Sequence, residues 1–357
     1  MSVFRLTMLP ASEGDCLILS YGPAEDRLRH VVIDGGRKAT WPALKNALDA
    51  IAGRGEAVEL LVLSHIDADH IDGLVELAEA PDLPLIPKAV WYNGYEQLKT
   101  LESVAGVDPF GFKAADKYSK ALAAKRWPIN EAFGGKPIYT EATPDKFDFA
   151  GLSLTLVSPT LAKLERLRND WRSALRPPAV PSGPATGRLE QLGKRPMPDR
   201  LDVEALSRPS KNDSTAPNGS SIAMIAEYVG RRILLGADAH PDALLESLGR
   251  LAANGEQYQA NLIKLPHHGS RANVTAELIQ KIDTRRFAIS TSGAVFGHPD
   301  PEAISRVLKF GTPELKTLYF NYASERTLPW RDQDLQARYG YECIYPAEAD
   351  RPLVIDI

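Results

Sequence analysis

The stretch LVLSHIDADHIDG, residues 61–73, holds two histidines and three aspartates within positions 65–72, directly behind an apolar run. Imidazoles and carboxylates bind divalent cations, and their spacing here suits that task. Alternate residues of an extended loop, His65, Asp67 and Asp69, can point into one cavity, and His70 joins as a helix begins. The ordinary alternative is a helix start, with Asp69 capping a helix through LVELAEA. A cap needs only one carboxylate and has no use for His65 and His70. The pattern is therefore read as part of a metal site.

The remaining candidates follow the same rule. LLGAD ends in Asp238, NLIKLP runs into His267, His268, Gly269 and Ser270, and FAISTSG is followed by GHPDPE with His298. Of the seven histidines, His65, His70, His240, His267, His268 and His298 lie at or just past predicted strand ends, and only His30 precedes one. Strand ends along one sheet rim can gather ligands from distant parts of a chain. Two adjacent metals can be bound that way, with Asp238 available to bridge them. Asp15 and Asp34 read as turn or supporting residues. His240 reads as the start of a helix, and Lys264 as a solvated lysine.

The elements that must position these residues can be read from the pattern. VFRLTML, CLILSYG and HVVIDGG read as adjacent antiparallel strands. WPALKNALDAIAG has helical spacing, VELLVLS is a buried strand, and IDGLVELAEA is a helix starting at the histidine cluster. KAVWYNG reads as a strand, residues 95–135 as mostly helical, and GLSLTLVSP as a strand. SSIAMIAEYVGRRILLGAD reads as a hairpin turning at Gly230. Helices then alternate with the strands ANLIKLP, RFAISTS and KTLYFNY, and PLVIDI is a terminal strand. Strands then helices, twice over, fit two sheets packed face to face with helices outside. The expectation is one α/β domain over residues 1–357, with a mostly helical insertion near 92–150. A second insertion near 177–217 is rich in Pro, Ser and Gly and reads as a mobile segment, either a linker or a lid facing substrate.

Composition narrows the classes. With 357 residues the chain can bury a substantial core. The net charge of −4 gives no electrostatic argument for nucleic acid or membrane, although the Pro-rich segment is locally basic. No apolar run approaches the ~20 residues that span a bilayer. MSVFRLTMLPASEGD alternates like a strand and lacks the apolar core of a signal peptide. The two cysteines, Cys16 and Cys343, make no disulfide framework, and Cys16 reads as a buried free thiol. A cytoplasmic protein that does not enter membranes is expected.

HIDADH resembles the HxHxDH signature of the metallo-β-lactamase fold superfamily, with Asp67 where the second histidine usually stands. Together with EGDCLIL, VVIDGG, an NxSS-type strand, LLGADA, KLPHHGS and ISTSGAVFGHP, it is similar to the soluble domain of the DNA-uptake channel ComEC and its stand-alone relatives. The motif order matches from residue 3 to about residue 310. The resemblance implies a four-layer αββα sandwich with one metal held by His65 and Asp67. It implies a second metal held by Asp69, His70 and His267, with Asp238 bridging. No histidine lies between His70 and Asp238, and Asn218 of PNGSS stands near where that ligand would be. The first site is thus rich in oxygen, which favours Mn²⁺ or Mg²⁺ relative to Zn²⁺.

The resemblance also assigns His298 the binding of a phosphate oxygen or protonation of the leaving group, alongside Asp69 as a catalytic residue. His268, with Ser270 and Asn218, is expected to touch substrate. Two metals ~3.5–4 Å apart lower the pKa of a bridging water toward ~7 and clamp attacking and leaving oxygens. The expected activity is a phosphodiesterase, foremost a nuclease, in a defence or stress module. A small-molecule hydrolase (cyclic nucleotide, phosphorylcholine ester or lactone) would use the same site. A binding protein with a dead site would have no need of six intact ligands.

Overall fold

A computed structural model describes residues 2–83, 85–101, 113–142, 146–174, 195–252 and 255–357. Its first sheet has six strands in the order Leu353–Asp356, Val3–Met8, Leu17–Gly22, Arg29–Ile33, Ala57–Val62 and Val90–Trp91. The first four pair antiparallel and the last two join in parallel. The second sheet has eight strands. Lys146–Phe149, Leu152–Ser158, Ala223–Tyr228 and Arg231–Leu235 run antiparallel, and Leu262–Lys264, Arg286–Ile289, Lys316–Phe320 and Tyr341–Ile344 extend it in parallel.

Alternation along the strands gives each sheet two apolar faces. Leu6, Leu19, Val31 and Leu60 of the first sheet meet Leu154, Met224, Ile233 and Leu262 of the second in a shared core. The other face of the first sheet is covered by the helices Trp41–Gly53 and Ala68–Glu79, which place Leu44, Leu48, Leu74 and Leu77 against Val32 and Leu61. Leu244, Leu278 and Ile304, from Pro241–Leu251, Ala276–Lys281 and Pro301–Phe310, cover the second sheet. The result is the expected four-layer αββα sandwich. No helix among the described residues is long and apolar enough to cross a membrane.

Two expectations change in detail. KAVWYNG contributes only the two-residue strand Val90–Trp91. Of the Pro-rich insertion, residues 177–194 lie outside the described residues, and 195–217 are anchored instead of loose. The buried Arg306 guanidinium donates to Arg208 O (2.6 Å) and Ser210 Oγ (2.8 Å) in that segment, and to Arg271 O (2.6 Å) and Val274 O (2.8 Å) beside it. Arg326 donates to the Arg195 carbonyl. Four carbonyl or hydroxyl acceptors satisfy the four terminal N–H donors of this buried cation without a carboxylate.

Helix Ala68–Glu79 is set against the loop after Arg29–Ile33 by two glycines. Gly35 N donates to His70 O (2.8 Å) and Gly73 N to Gly36 O (2.9 Å). A Cβ on Gly73 would stand 2.0 Å from Gly35 O, a backbone atom that cannot swing aside. Glycine to alanine inside a helix ordinarily gains up to about 1 kcal/mol. Here the clash should reverse the sign, costing about 1–3 kcal/mol as an overpacked contact does. Gly73→Ala is expected to lower the urea midpoint, and a raised midpoint would show that the two backbones can part freely.

Candidate metal centre

Every cluster residue lies on the rim formed by strand ends, where loops converge. Ser64 and His65 follow Ala57–Val62, Asp34 follows Arg29–Ile33, Asp238 follows Arg231–Leu235, and His267 and His268 follow Leu262–Lys264. Ligand sites of sheets with parallel strands collect at such carboxyl ends. The capping alternative for HIDADH fails on geometry. Asp67 occupies the N-cap position of Ala68–Glu79, its carboxylate makes no capping bond, and Asp69 lies within the first turn.

Asp238 is the centre of the arrangement. Its Oδ2 lies 3.8 Å from His65 Nε2, 3.4 Å from His70 Nε2, 3.6 Å from His267 Nε2 and 3.5 Å from His268 Nε2. Asp67 Oδ2 stands 3.6 Å from His65 Nε2, and Asp69 Oδ2 stands 3.6 Å from His268 Nε2. One ligand atom each from Asp69, His70 and His268 fall within 4.8 Å of one another, as do those of His65, His70 and Asp238.

The other side of each ring is held. His70 Nδ1 donates to Asp34 Oδ2 (2.8 Å), and Asp34 accepts in turn from Ser64 N (2.7 Å) and Ser64 Oγ (2.6 Å). His268 Nδ1 donates to the Ser290 carbonyl (2.9 Å). Both Nδ1 atoms thus carry the proton, and the two Nε2 atoms face each other at 3.2 Å. Two lone pairs at that separation repel unless a proton or a cation lies between them. His65 Nε2 and Asp238 Oδ1 are buried with no hydrogen-bond partner, a costly state for polar atoms in a protein interior. Facing lone pairs, orphaned acceptors and carboxylates among imidazoles fit divalent cations, and the fixed Nδ1–H bonds are the supports that metal-bound histidines need.

Electrostatics agree with that fit. Burial alone would lower the pKa of His70, His267 and His268. The negative charge of Asp238, with the carboxylates behind the rings, outweighs burial and raises all three, His267 to about 10. Each ring position therefore favours positive charge. Asp69 and Asp238 are held below the ordinary carboxylate range, because the neighbouring histidines overcome the desolvation that would raise them.

Several expected positions change. His268, expected as a substrate contact, is the histidine that faces Asp69 and His70. His267, expected in that place, turns its Nε2 toward Asp238. Both adopt left-handed φ, +47° and +54°, which splays adjacent rings apart to centroids 5.9 Å from each other. Lys264 is not solvated: it is fully buried and paired with Asp15, whose Oδ1 lies 3.5 Å from His268 Nδ1. Desolvation would raise the Asp15 carboxyl, and Lys264 holds it well below its usual range.

The expected substrate residues Ser270 and Asn218 are engaged by the protein. Ser270 Oγ accepts from Ala272 N (3.2 Å), within its own turn. Asn218 Nδ2 donates to Asp213 Oδ2 (2.7 Å), while its Oδ1 is buried without a partner. His240 is the N-cap residue of Pro241–Leu251 and lies beside Lys163 Nζ (3.0 Å). His298 is half-buried at the rim, its ring 5.2 Å from that of His267, with Nδ1 3.5 Å from Asp300 Oδ2.

Three residues of the site were not anticipated: Ser64, Asp213 and Asn273. Ser64 sits inside the quoted motif, so its place behind Asp34 could have been suspected there. Asp213 lies in KNDSTAPN, where nothing local distinguishes it from a turn residue.

Residues 25–130 match the family model of the Metallo-beta-lactamase superfamily. No curated protein sequence matches the chain. Among solved structures, the chain is similar to Zn²⁺-bound PqqB from Methylobacterium extorquens, at 11% identity over 99% of this chain and 100% of that one, TM-score 0.39. It is similar to the metallo-beta-lactamase fold protein YhfI from Bacillus subtilis, at 11% identity over 99% of each chain, TM-score 0.37. It is also similar to the short form of human tRNase Z, at 11% identity over 98% of each chain, TM-score 0.39. These likenesses are too distant to carry an activity across.

Proposed function

We propose that this chain, which has the metallo-β-lactamase fold, is a hydrolase that works with two divalent metal ions on a phosphodiester, foremost one in a nucleic acid. The observation that carries the two-metal reading is the single Asp238 oxygen within 3.4–3.8 Å of four imidazole Nε2 atoms. One ion would be held by His65, Asp67 and Asp238, with His267 facing the same carboxylate. The other would be held by Asp69, His70, His268 and Asp238. When bound, the pair supplies Lewis-acid polarisation and neutralises charge that develops on oxygen.

The chain's own groups do the rest. Asp34 and the Ser290 carbonyl fix the His70 and His268 rings, so that their Nε2 lone pairs need not reorganise. Asp69, kept ionised among histidines, can accept a hydrogen bond from an incoming water and orient it. His298, at the rim beside His267, can give a proton to a departing alkoxide. The choice of phosphodiester rests on the resemblance of the whole motif set to ComEC-type domains, since the same metals serve several hydrolyses. Four exposed cations in the anchored segment, Arg195, Arg200, Arg208 and Lys211, support a polyanionic substrate.

Each site would take two nitrogens and two carboxylates if His267 joins the first. That set is harder than a three-histidine zinc site, so hydrolysis should be faster with Mn²⁺ than with Zn²⁺. The test is metal-free protein reloaded with each ion to equal occupancy, then given single-stranded DNA, duplex DNA, RNA and bis(p-nitrophenyl) phosphate. A faster zinc enzyme would refute the hard-ligand argument. Failure to cleave any of the four substrates with either ion would reject the phosphodiesterase reading.

A further inference from the structure

HIDADH lacks the second histidine of its signature, and no histidine lies between His70 and Asp238 to make up the loss. The structure offers a replacement and the device that aims it. His267 Nδ1 lies 2.9 Å from Asn273 Oδ1, 3.4 Å from Asn218 Nδ2, which donates at the shorter 2.7 Å to Asp213 Oδ2, and 3.5 Å from Asp213 Oδ2. Asn273 cannot be turned the other way, because its Nδ2 faces acceptors only: Asp213 Oδ2 (3.2 Å), Asp238 O (3.3 Å) and Ala239 O (3.2 Å). His267 Nδ1 therefore carries the proton and Nε2 offers its lone pair, on the side of Asp238.

Asp213 ties this corner together. It is buried, and its Oδ1 accepts from Thr215 N (2.9 Å) and Thr215 Oγ1 (3.0 Å), while Oδ2 accepts from Asn218 and Asn273. Its own N–H donates to Ala272 O (3.0 Å). The residue comes from the end of the Pro-rich segment, the part stapled by Arg306 to the loop that carries Asn273. Asp213 stands to His267 as Asp34 stands to His70, a carboxylate behind a ring nitrogen.

We infer that Asp213 is a positioning residue that orients His267 as the nitrogen ligand completing the first metal site, so that the stretch from Arg208 to Asp213 is a structural part of the metal centre. The inference rests on the two-metal reading above and adds which residues repair the departure in HIDADH.

The test is Mn²⁺ titration of metal-free protein by calorimetry, with electron paramagnetic resonance on the loaded samples. Wild type should bind two equivalents and show a spin-coupled pair. Asp213→Asn, which keeps the shape and removes the charge, should weaken one equivalent by about 10–100-fold, leave the other unchanged, and show the signal of isolated Mn²⁺. His267→Ala should lose that same equivalent, and adding Asp213→Asn to it should change nothing further. Wild type binding fewer than two ions would overturn the two-metal reading and this inference with it. Wild type binding two, with Asp213→Asn unchanged or weakened equally at both sites, would overturn the inference alone. A further loss in the double variant would do the same, because Asp213 would then act on the fold and not through His267.

Discussion

Asp238→Asn should nearly abolish hydrolysis and release at least one of the two proposed metals, and it should do so without unfolding the protein. The carboxylate faces both proposed sites, with one oxygen 3.4–3.8 Å from His65, His70, His267 and His268. Asparagine keeps the volume and one carbonyl oxygen but removes the negative charge that holds two cations close together. Two cations with no anion between them repel, so the weaker site should empty first. A metal's electrostatic contribution to a hydrolytic transition state is worth several kcal/mol. At ~1.4 kcal/mol per decade, turnover should drop by about 10³-fold or more. Metal content after gel filtration, beside the initial rate on bis(p-nitrophenyl) phosphate, checks this. Two retained equivalents with near-normal turnover would show that Asp238 does not bridge.

Much of this site was legible because ligation needs rare side chains at strand ends, and the sequence has few histidines. Six of the seven fell at predicted strand ends, and five of those, all but His240, surround or border Asp238. What escaped depends on contacts that no local pattern encodes. Lys264 looked solvated because its partner, Asp15, is 249 positions away. His267 and His268 could not be told apart as neighbours. Their separation comes from two successive left-handed residues, a backbone state that non-glycine residues rarely adopt and that collects at functional sites. Asp213 was hidden in a stretch whose composition reads as linker. The Arg306 staple, formed with residues 32 to 98 positions away, brings that stretch against the loop that carries Asn273, together with the Ser210–Arg271 and Asp213–Ala272 hydrogen bonds. The layers themselves were legible for a simpler reason. Apolar alternation in the strands and 3.6-residue spacing in the helices directly report which faces are buried.

His298→Ala should keep both metals and still lose about 10²–10⁴-fold in turnover on a substrate with a poor leaving group, the range for a positioned general acid. The ring is outside the set that surrounds Asp238, so ligation should survive its removal. Its place is at the rim, beside His267, on a loop braced from below. Added Cβ atoms at Gly293 and Gly297 would stand 2.5 and 2.0 Å from Arg326 side-chain atoms, so the loop lies directly on that buried guanidinium. Asp300, itself held by Arg271 N (2.9 Å), places its carboxylate 3.5 Å from the ring's Nδ1. The role as an acid makes a sharper claim than loss of activity. A p-nitrophenolate leaves without a proton, whereas the alkoxide of a nucleotide does not. The variant should therefore be far less impaired on bis(p-nitrophenyl) phosphate than on a dinucleotide, at equal metal occupancy. Equal impairment on both would point to binding of a phosphate oxygen, because that contact is common to the two substrates. Loss of metal would instead make His298 a ligand and leave the leaving group without an assigned proton donor.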